Sequence, residues 1–215
     1  MFSSEKLEKD LNIIATYELI DRCDFKPLAL HGVNHVKNVT KNVGTILTEL
    51  NCGDETVECG KIAAYLHDLG MKEGKKGHAK RSYTEAKKYL RHKDLTFKQK
   101  HSILKAIKNH SNCNKKGDII WAALVFADKL DMDNTRLGED GYYVDGLKEI
   151  RFVTKVDFKI NAEKLVVTFN VTPEFDRKSF ENYYFCRKMF NAVKQFANQI
   201  KRDYVVMLND QVWDY

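Results

Sequence analysis

The stretch Ile62–Gly70, IAAYLHDLG, decides how the rest of this chain is read. An apolar helical run ends in an adjacent histidine and aspartate, His67 and Asp68, and soon after in a glycine. A carboxylate at the inner end of an apolar helix is costly unless something pairs with it. A metal ion is such a partner. It would draw a nitrogen ligand from His67 and an oxygen ligand from Asp68. Taken alone, the dipeptide also fits a helix that merely ends in a polar cap, so the surrounding sequence has to discriminate.

Working outward, the chain upstream reads as helices. Ser3 or Ser4 caps a first helix running to about Asp21, with Leu7, Leu11, Ile14 and Leu19 inward. Asp24–Leu30, containing Pro27, is a break. A second helix follows near His31–Leu50, because Val36, Val39, Val43, Ile46 and Leu50 recur at spacings of three and four. His35 stands one turn before Val39, at the edge of that face. Asn51–Asp54 ends this helix, and a third leads into His67.

Downstream, Gly70, Gly74 and Gly77 mark a loop rich in Lys72, Lys75, Lys76, Lys80 and Arg81. That excess is either a solvated loop or a positive rim that draws in a phosphorylated substrate. A fourth helix opens near His78 and carries Tyr83, Ala86 and Leu90 inward. Thr96 and Gln99 form a capping-box pattern for a fifth, on which Ile103, Ile107 and His110 share a face. Ile119–Leu130 is apolar nearly all round, the mark of a central helix, yet contains Asp128 and is followed by Asp131.

Beyond Asp131 the pattern changes. Met132–Lys148 carries three glycines and reads as a loop, a candidate lid with glycine hinges. Val156, Phe158 and Ile160 alternate with charged residues, and Leu165, Val167, Phe169 and Val171 alternate likewise, which predicts a two-stranded hairpin. A final helix is expected over roughly Arg177–Met207, with Phe185, Met189, Phe196 and Ile200 on one side. A hairpin alone is marginal in water. This helix should cover it, or the second subunit of a homodimer should. The expected organisation is a mainly α fold, with a helical metal-binding domain over 1–137 and a small α+β appendage, hairpin plus helix, over 138–215.

Composition sets the outer bounds. The 215 residues are 43% hydrophobic and 31% charged, an ordinary globular balance. There is no bilayer-length apolar window and no signal pattern in MFSSEKLEKD, so the expectation is a cytoplasmic chain with no membrane partner. Cys23, Cys52, Cys59, Cys113 and Cys186 form no CxxC pair and read as free thiols. The net charge of +6 is mostly interspersed. No interleaved basic and aromatic run points to nucleic acid as the main partner.

The polar residues on otherwise buried faces are His35, His67, Asp68, His78, His110 and Asp128. A lone histidine on an apolar face is ordinarily a hydrogen-bonded core residue. Four histidines and two aspartates placed this way in a helical bundle point instead to a metal site built from facing helices.

In their order these residues resemble the HD-domain superfamily of metal-dependent phosphohydrolases. HGVNHVKNV supplies His35, AAYLHDLG supplies His67 and Asp68, and LVFADKLD supplies Asp128. HAKRSYTEA, with His78, and AIKNHS, with His110, match two further histidines that many members carry. The resemblance spans about residues 28–137. Two branches are set apart by their own signatures. The alarmone hydrolases carry Glu-Asp where this chain has Met71 and Lys72. The cyclic-dinucleotide enzymes carry a paired histidine and a GYP motif, whereas Ser111 follows His110 here and GYYVDG is not that motif.

The resemblance implies a phosphohydrolase acting on a nucleotide or similar small phosphate ester or anhydride. It implies one or two divalent metal ions, from Mn, Fe, Co, Ni or Zn, with Mg open. His35, His67, Asp68 and Asp128 would hold the first. Asp68 would bridge, and His78 with His110 would complete a second site or take part in catalysis. Lys72, Lys129 and Arg136 are the candidates for phosphate contact. Two other readings stay open: a di-iron oxygenase built on the same residues, and a nucleotide-sensing HD protein without turnover.

Overall fold

The computed structural model describes residues 2–22, 28–112 and 117–215. They fall into two compact units, one within Met1–Phe25 and His31–Ala127, the other within Lys26–Leu30 and Asp128–Tyr215. The division lies between Ala127 and Asp128, inside a helix, ahead of the change in pattern near residue 137. Cys23, Cys113 and most of the break around Pro27 lie outside the described residues. Cys52, Cys59 and Cys186 are free thiols.

The first unit is helical: α1 (Ser4–Glu8), α2 (Leu11–Arg22), α3 (Val33–Glu49), α4 (Asp54–Leu66), α5 (His78–Leu90), α6 (Phe97–Asn109) and most of α7 (Ile119–Leu130). The single helix expected at the start is two. Asp10 interrupts it, its carboxylate accepting from the backbone N–H of Asn12 at 3.0 Å and Ile13 at 3.4 Å, which caps a new helix with its own phase. The buried stripe of α2 is therefore Ile13, Tyr17 and Ile20, while Leu11 and Leu19 face solvent.

Elsewhere the periodicity holds. α3 buries His35, Val36, Val39, Val43, Ile46 and Leu47. Thr96 and Gln99 close a reciprocal capping box on α6. α7 is apolar all round, and Ile120 through Ala127 are buried. These helices meet pairwise, α3 on α4, α4 on α6 and α5 on α6.

The second unit opens with tight 3-10 turns at Asn134–Arg136, Glu139–Tyr143 and Leu147–Phe152. Then come β1 (Val153–Ile160), β2 (Lys164–Val171), α8 (Arg177–Asn182), α9 (Tyr184–Ile200), β3 (Asp203–Leu208) and β4 (Gln211–Val212). The β1–β2 hairpin forms as expected, pairing Val156 with Phe169 and Phe158 with Val167. Its sheet is larger than a hairpin, with strand order β1-β2-β3-β4.

The expected helix to Met207 is therefore corrected. It is broken at Tyr183 and stops at Ile200, where Lys201 takes a left-handed conformation at φ 55°. Residues 203–208 run parallel to β2, so α8 and α9 form the crossover that parallel strands require. No glycine or proline marks that stop, and the apolar residues beyond it extend the helical pattern by chance. α9 packs on β2 and β3 through Met189, Val193 and Phe196, whereas Phe185 and Ile200 are only half-buried.

The segment expected as a hinged lid is tied down within its own unit. Leu30 donates to the Arg136 carbonyl at 2.9 Å, Gly138 donates to Leu28 at 3.1 Å, and Ala29 bridges to Leu137. Gly141 serves close packing there, since a Cβ would lie 2.3 Å from the Leu28 carbonyl oxygen.

Trp213 closes the sheet, buried against Phe169 at 5.5 Å and Phe190 at 5.3 Å, with its Nε1–H donated to Glu181 at 2.7 Å. Trp213→Ala is expected to cost about 3–5 kcal/mol. Urea unfolding checks this. A loss below about 1 kcal/mol would mean that the terminal segment lies outside the core.

Candidate metal centre

The sequence places a histidine just past the end of both α4 and α6, His67 and His110, each the C-cap of its helix. A helix leaves its last carbonyls without intrahelical donors. Here the caps use them: His67 Nδ1 donates to Ala64 O at 2.6 Å, and His110 Nδ1 to Ile107 O at 2.7 Å. His78, opening α5, does the same to Lys75 O at 2.8 Å. A carbonyl only accepts, so the proton sits on Nδ1 in all three rings. Each Nε2 then points away with its lone pair, the arrangement that second-shell partners impose on metal-binding histidines.

The Nε2 atoms converge on Asp68. His35 and His67 stand 3.5 and 3.4 Å from Asp68 Oδ2. His78 and His110 both stand 3.5 Å from Oδ1. The four rings are thus sorted two by two onto the two oxygens of one carboxylate. Within the pairs, Nε2 atoms face each other at 3.3 Å for His35–His67 and 2.9 Å for His78–His110. Lone pairs facing at such distances repel unless a proton or cation lies between them.

Burial sharpens the problem. His35, His67, Asp68 and His110 are all buried, and Asp68 Oδ1 has no hydrogen bond of good geometry. Burial by itself would raise the Asp68 carboxyl, but His67, His110 and His35 hold it well below the usual carboxylate range. The C-terminal ends of α4 and α6 add partial negative charge. These residues fit a divalent cation. Ligands about 2.0–2.2 Å from one ion stand roughly 3.0–3.5 Å apart, the range found here. His67, Asp68 and His110 form one buried group able to hold a metal.

Asp128 belongs by contacts to the second unit, one residue past the division within α7. It is buried, and its carboxylate takes the Lys129 ammonium. The three expected phosphate-contacting cations all have carboxylate partners: Lys72 with Glu85 at 3.9 Å, Lys129 with Asp128, and Arg136, itself buried, with Asp131 at 3.5 Å. Lys72 lines a separate cavity of about 320 Å³ with Ile13, Glu85 and Tyr89, away from the histidines.

Two supporting residues were not legible in the sequence. Tyr17 of α2 is fully buried, donates to Tyr65 O at 2.5 Å and takes a hydrogen bond from the Asp68 backbone. Burial first, and the nearby Asp68 second, push its phenol well above the ordinary range. Arg81, expected in the positive rim, instead donates to the carbonyls of Gly70 at 2.9 Å, Lys76 at 2.7 Å and Gly74. Only its helical spacing from neighbours, which put Tyr17 on the inner stripe, offered any signal for the first. None was available for the second.

Comparison with known proteins agrees with this geometry. Residues 32–133 match the model of the HD-domain family. The chain carries an HD domain. Among solved structures, it is similar to one described as a predicted HD superfamily hydrolase from an uncultured Thermotogales bacterium, at 21% identity and a TM-score of 0.48, covering 61% of this chain and 75% of that one. No curated protein matches.

Gly70 closes the HD domain's His-Asp turn. Its N–H donates to the buried Ser82 Oγ at 2.9 Å, and a Cβ would stand 2.5 Å from His78 O and Ser82 N. Gly70→Ala is expected to cost about 1–3 kcal/mol by forcing the turn off α5. Equal melting temperatures for the variant and the parent would show that the turn has room to spare.

Proposed function

We propose that this chain is a metal-dependent phosphohydrolase that cleaves an ester or anhydride of a small phosphorylated molecule, a nucleotide or similar compound. The observation that carries the reading is the sorting of four imidazole nitrogens onto the two oxygens of one buried carboxylate. In this reading His35, His67 and Asp68 hold one divalent ion, joined by Asp128, the last residue of the HD order. Asp68 bridges to a second position held by His78 and His110. Bound there, such ions would acidify a water and neutralise phosphoryl oxygens during in-line attack.

The remaining work falls to the chain's own residues. Asp68 is kept ionised by its histidines and needs no rearrangement to receive a cation. No side chain has to act as a covalent nucleophile. His78 is the cluster member that reaches solvent, its side chain 14% exposed against 2% or less for His35, His67, Asp68 and His110. With one ion bound, His78 and His110 are left to hold or deliver a proton at Nε2, next to a leaving oxygen. Lys72, Lys129 and Arg136 would have to exchange a carboxylate partner for phosphate. Lys75, Lys76 and Lys80, exposed just after the His-Asp pair, carry no such constraint as a positive rim.

The test is a phosphate-release screen over nucleotides and sugar phosphates with added Mn, Co, Ni or Mg, run with and without oxygen. Metal-dependent release, indifferent to oxygen, is expected. Asp68→Ala should lower it at least about 100-fold. Elemental analysis reads the metal independently, and His110→Ala should remove about one ion per chain if two bind. Turnover that stops without oxygen would favour the oxygenase reading. Metal uptake without turnover of any phosphate compound would make the chain a binding protein.

A further inference from the structure

The HD unit carries a second feature that the metal chemistry does not use. α5 and α6 lie antiparallel, since His78 at the start of one meets His110 at the end of the other. Their outer faces form a groove of about 1010 Å³. Lys87, Lys88 and Arg91 line it from α5, and Lys100, Lys105 and Lys108 from α6; no aspartate or glutamate lines it. Among the described residues, only Lys88 of these six stands within 4 Å of a carboxylate, that of Glu85 at 3.2 Å. So many uncompensated cations facing one groove create a strong positive potential.

Aromatic rings stand among these charges. Phe97, the first residue of α6, is 86% exposed, and its ring stacks on His101 at 6.2 Å and 25°. The Thr96–Gln99 capping box fixes the turn that presents it. At the other end of the groove, the Lys108 ammonium lies 5.4 Å over the Tyr83 ring. An apolar ring held out into water at a helix N-terminus contributes nothing to the core. In the sequence these residues read as ordinary solvated helix faces. The basic and aromatic residues interleave only when the two helices are laid side by side.

We propose that this groove binds single-stranded nucleic acid without sequence preference, as a site separate from the metal centre. Phosphodiester charges would lie along the two rows of cations, and an unpaired base would stack on the Phe97–His101 face. A duplex keeps its bases stacked and cannot use that face. An acidic peptide could match the cations but leaves the exposed ring without a role. The eight helical steps from Tyr83 to Arg91 span ~12 Å. At about one phosphate per 3.4 Å of strand, that length holds about three to four phosphates.

Fluorescence anisotropy of a labelled oligothymidylate with the full chain tests the proposal. Affinity should fall with salt between about 50 and about 200 mM at a log–log slope of about −2 to −3. Lys87→Glu with Lys105→Glu should weaken binding at least about 10-fold and flatten that slope. Phe97→Ala should weaken it about 5-fold or more and leave the slope unchanged. All three positions are exposed, so the fold should persist, as circular dichroism would verify. A charge-matched control on exposed sites of the second unit, Lys178→Glu with Lys194→Glu, should leave affinity within about 2-fold. The proposal is overturned if no binding is seen, if the control weakens binding as much as the groove variant, or if duplex binds as tightly as single strand. It is overturned equally if polyglutamate competes as well as the oligonucleotide and Phe97→Ala has no effect, since the groove is then a general anion surface.

Discussion

Asp68 is buried to 1% exposure with no cationic lysine or arginine against it. A carboxylate in that position is among the most expensive groups a fold can enclose. The HD unit meets the cost with four imidazoles, and much of the local architecture serves to aim them. α4 and α6 end where they do so that His67 and His110 arrive at the carboxylate from the carbonyl ends of two helices. α3 and α5 bring His35 and His78 from the other sides. Tyr17 supports the Asp68 backbone from α2. A cation is the component that resolves both the buried negative charge and the facing ring nitrogens.

The aiming uses one local device three times. His67, His78 and His110 each give their Nδ1 proton to the carbonyl three residues earlier. At the two helix ends that carbonyl is one the helix leaves available. The tautomer, the ring angle and the direction of the Nε2 lone pair are therefore set by the backbone of the same element. No distant side chain has to be placed for it. This also explains why such a site can be recognised from short segments: each ligand arrives with most of its own support.

What was legible followed the same division between local and distant. The His-Asp pair, the stripe on α3, the capping box on α6 and the hairpin depend on neighbours within a turn or two, and the sequence shows them. The break at Asp10 was missed because Leu11 and Leu19 happened to continue an apolar spacing. The strand at 203–208 was missed because Lys201 ends a helix in a conformation that glycine or asparagine usually marks. Tyr17 and Arg81 act through long-range contacts and carry no local signature. The basic groove is invisible for a related reason, since its aromatic and cationic residues belong to different helices.

Arg81 shows how a charge count misleads. It sits in a run of basic residues and adds to the apparent positive rim after Asp68. Its guanidinium is instead committed to the carbonyls of Gly70, Gly74 and Lys76, with Glu73 3.6 Å from its Nε. Planar and multidentate donation to several carbonyls is a task a lysine ammonium does poorly. The carbonyl that fixes His78 belongs to Lys75, in the middle of the segment that Arg81 clamps. The loop's conformation and the orientation of a metal-facing histidine thus depend on one side chain that itself makes no contact with Asp68. Charge near the centre is therefore divided by function: Arg81 holds geometry, and only the lysines left exposed in the loop contribute to the field a substrate would meet.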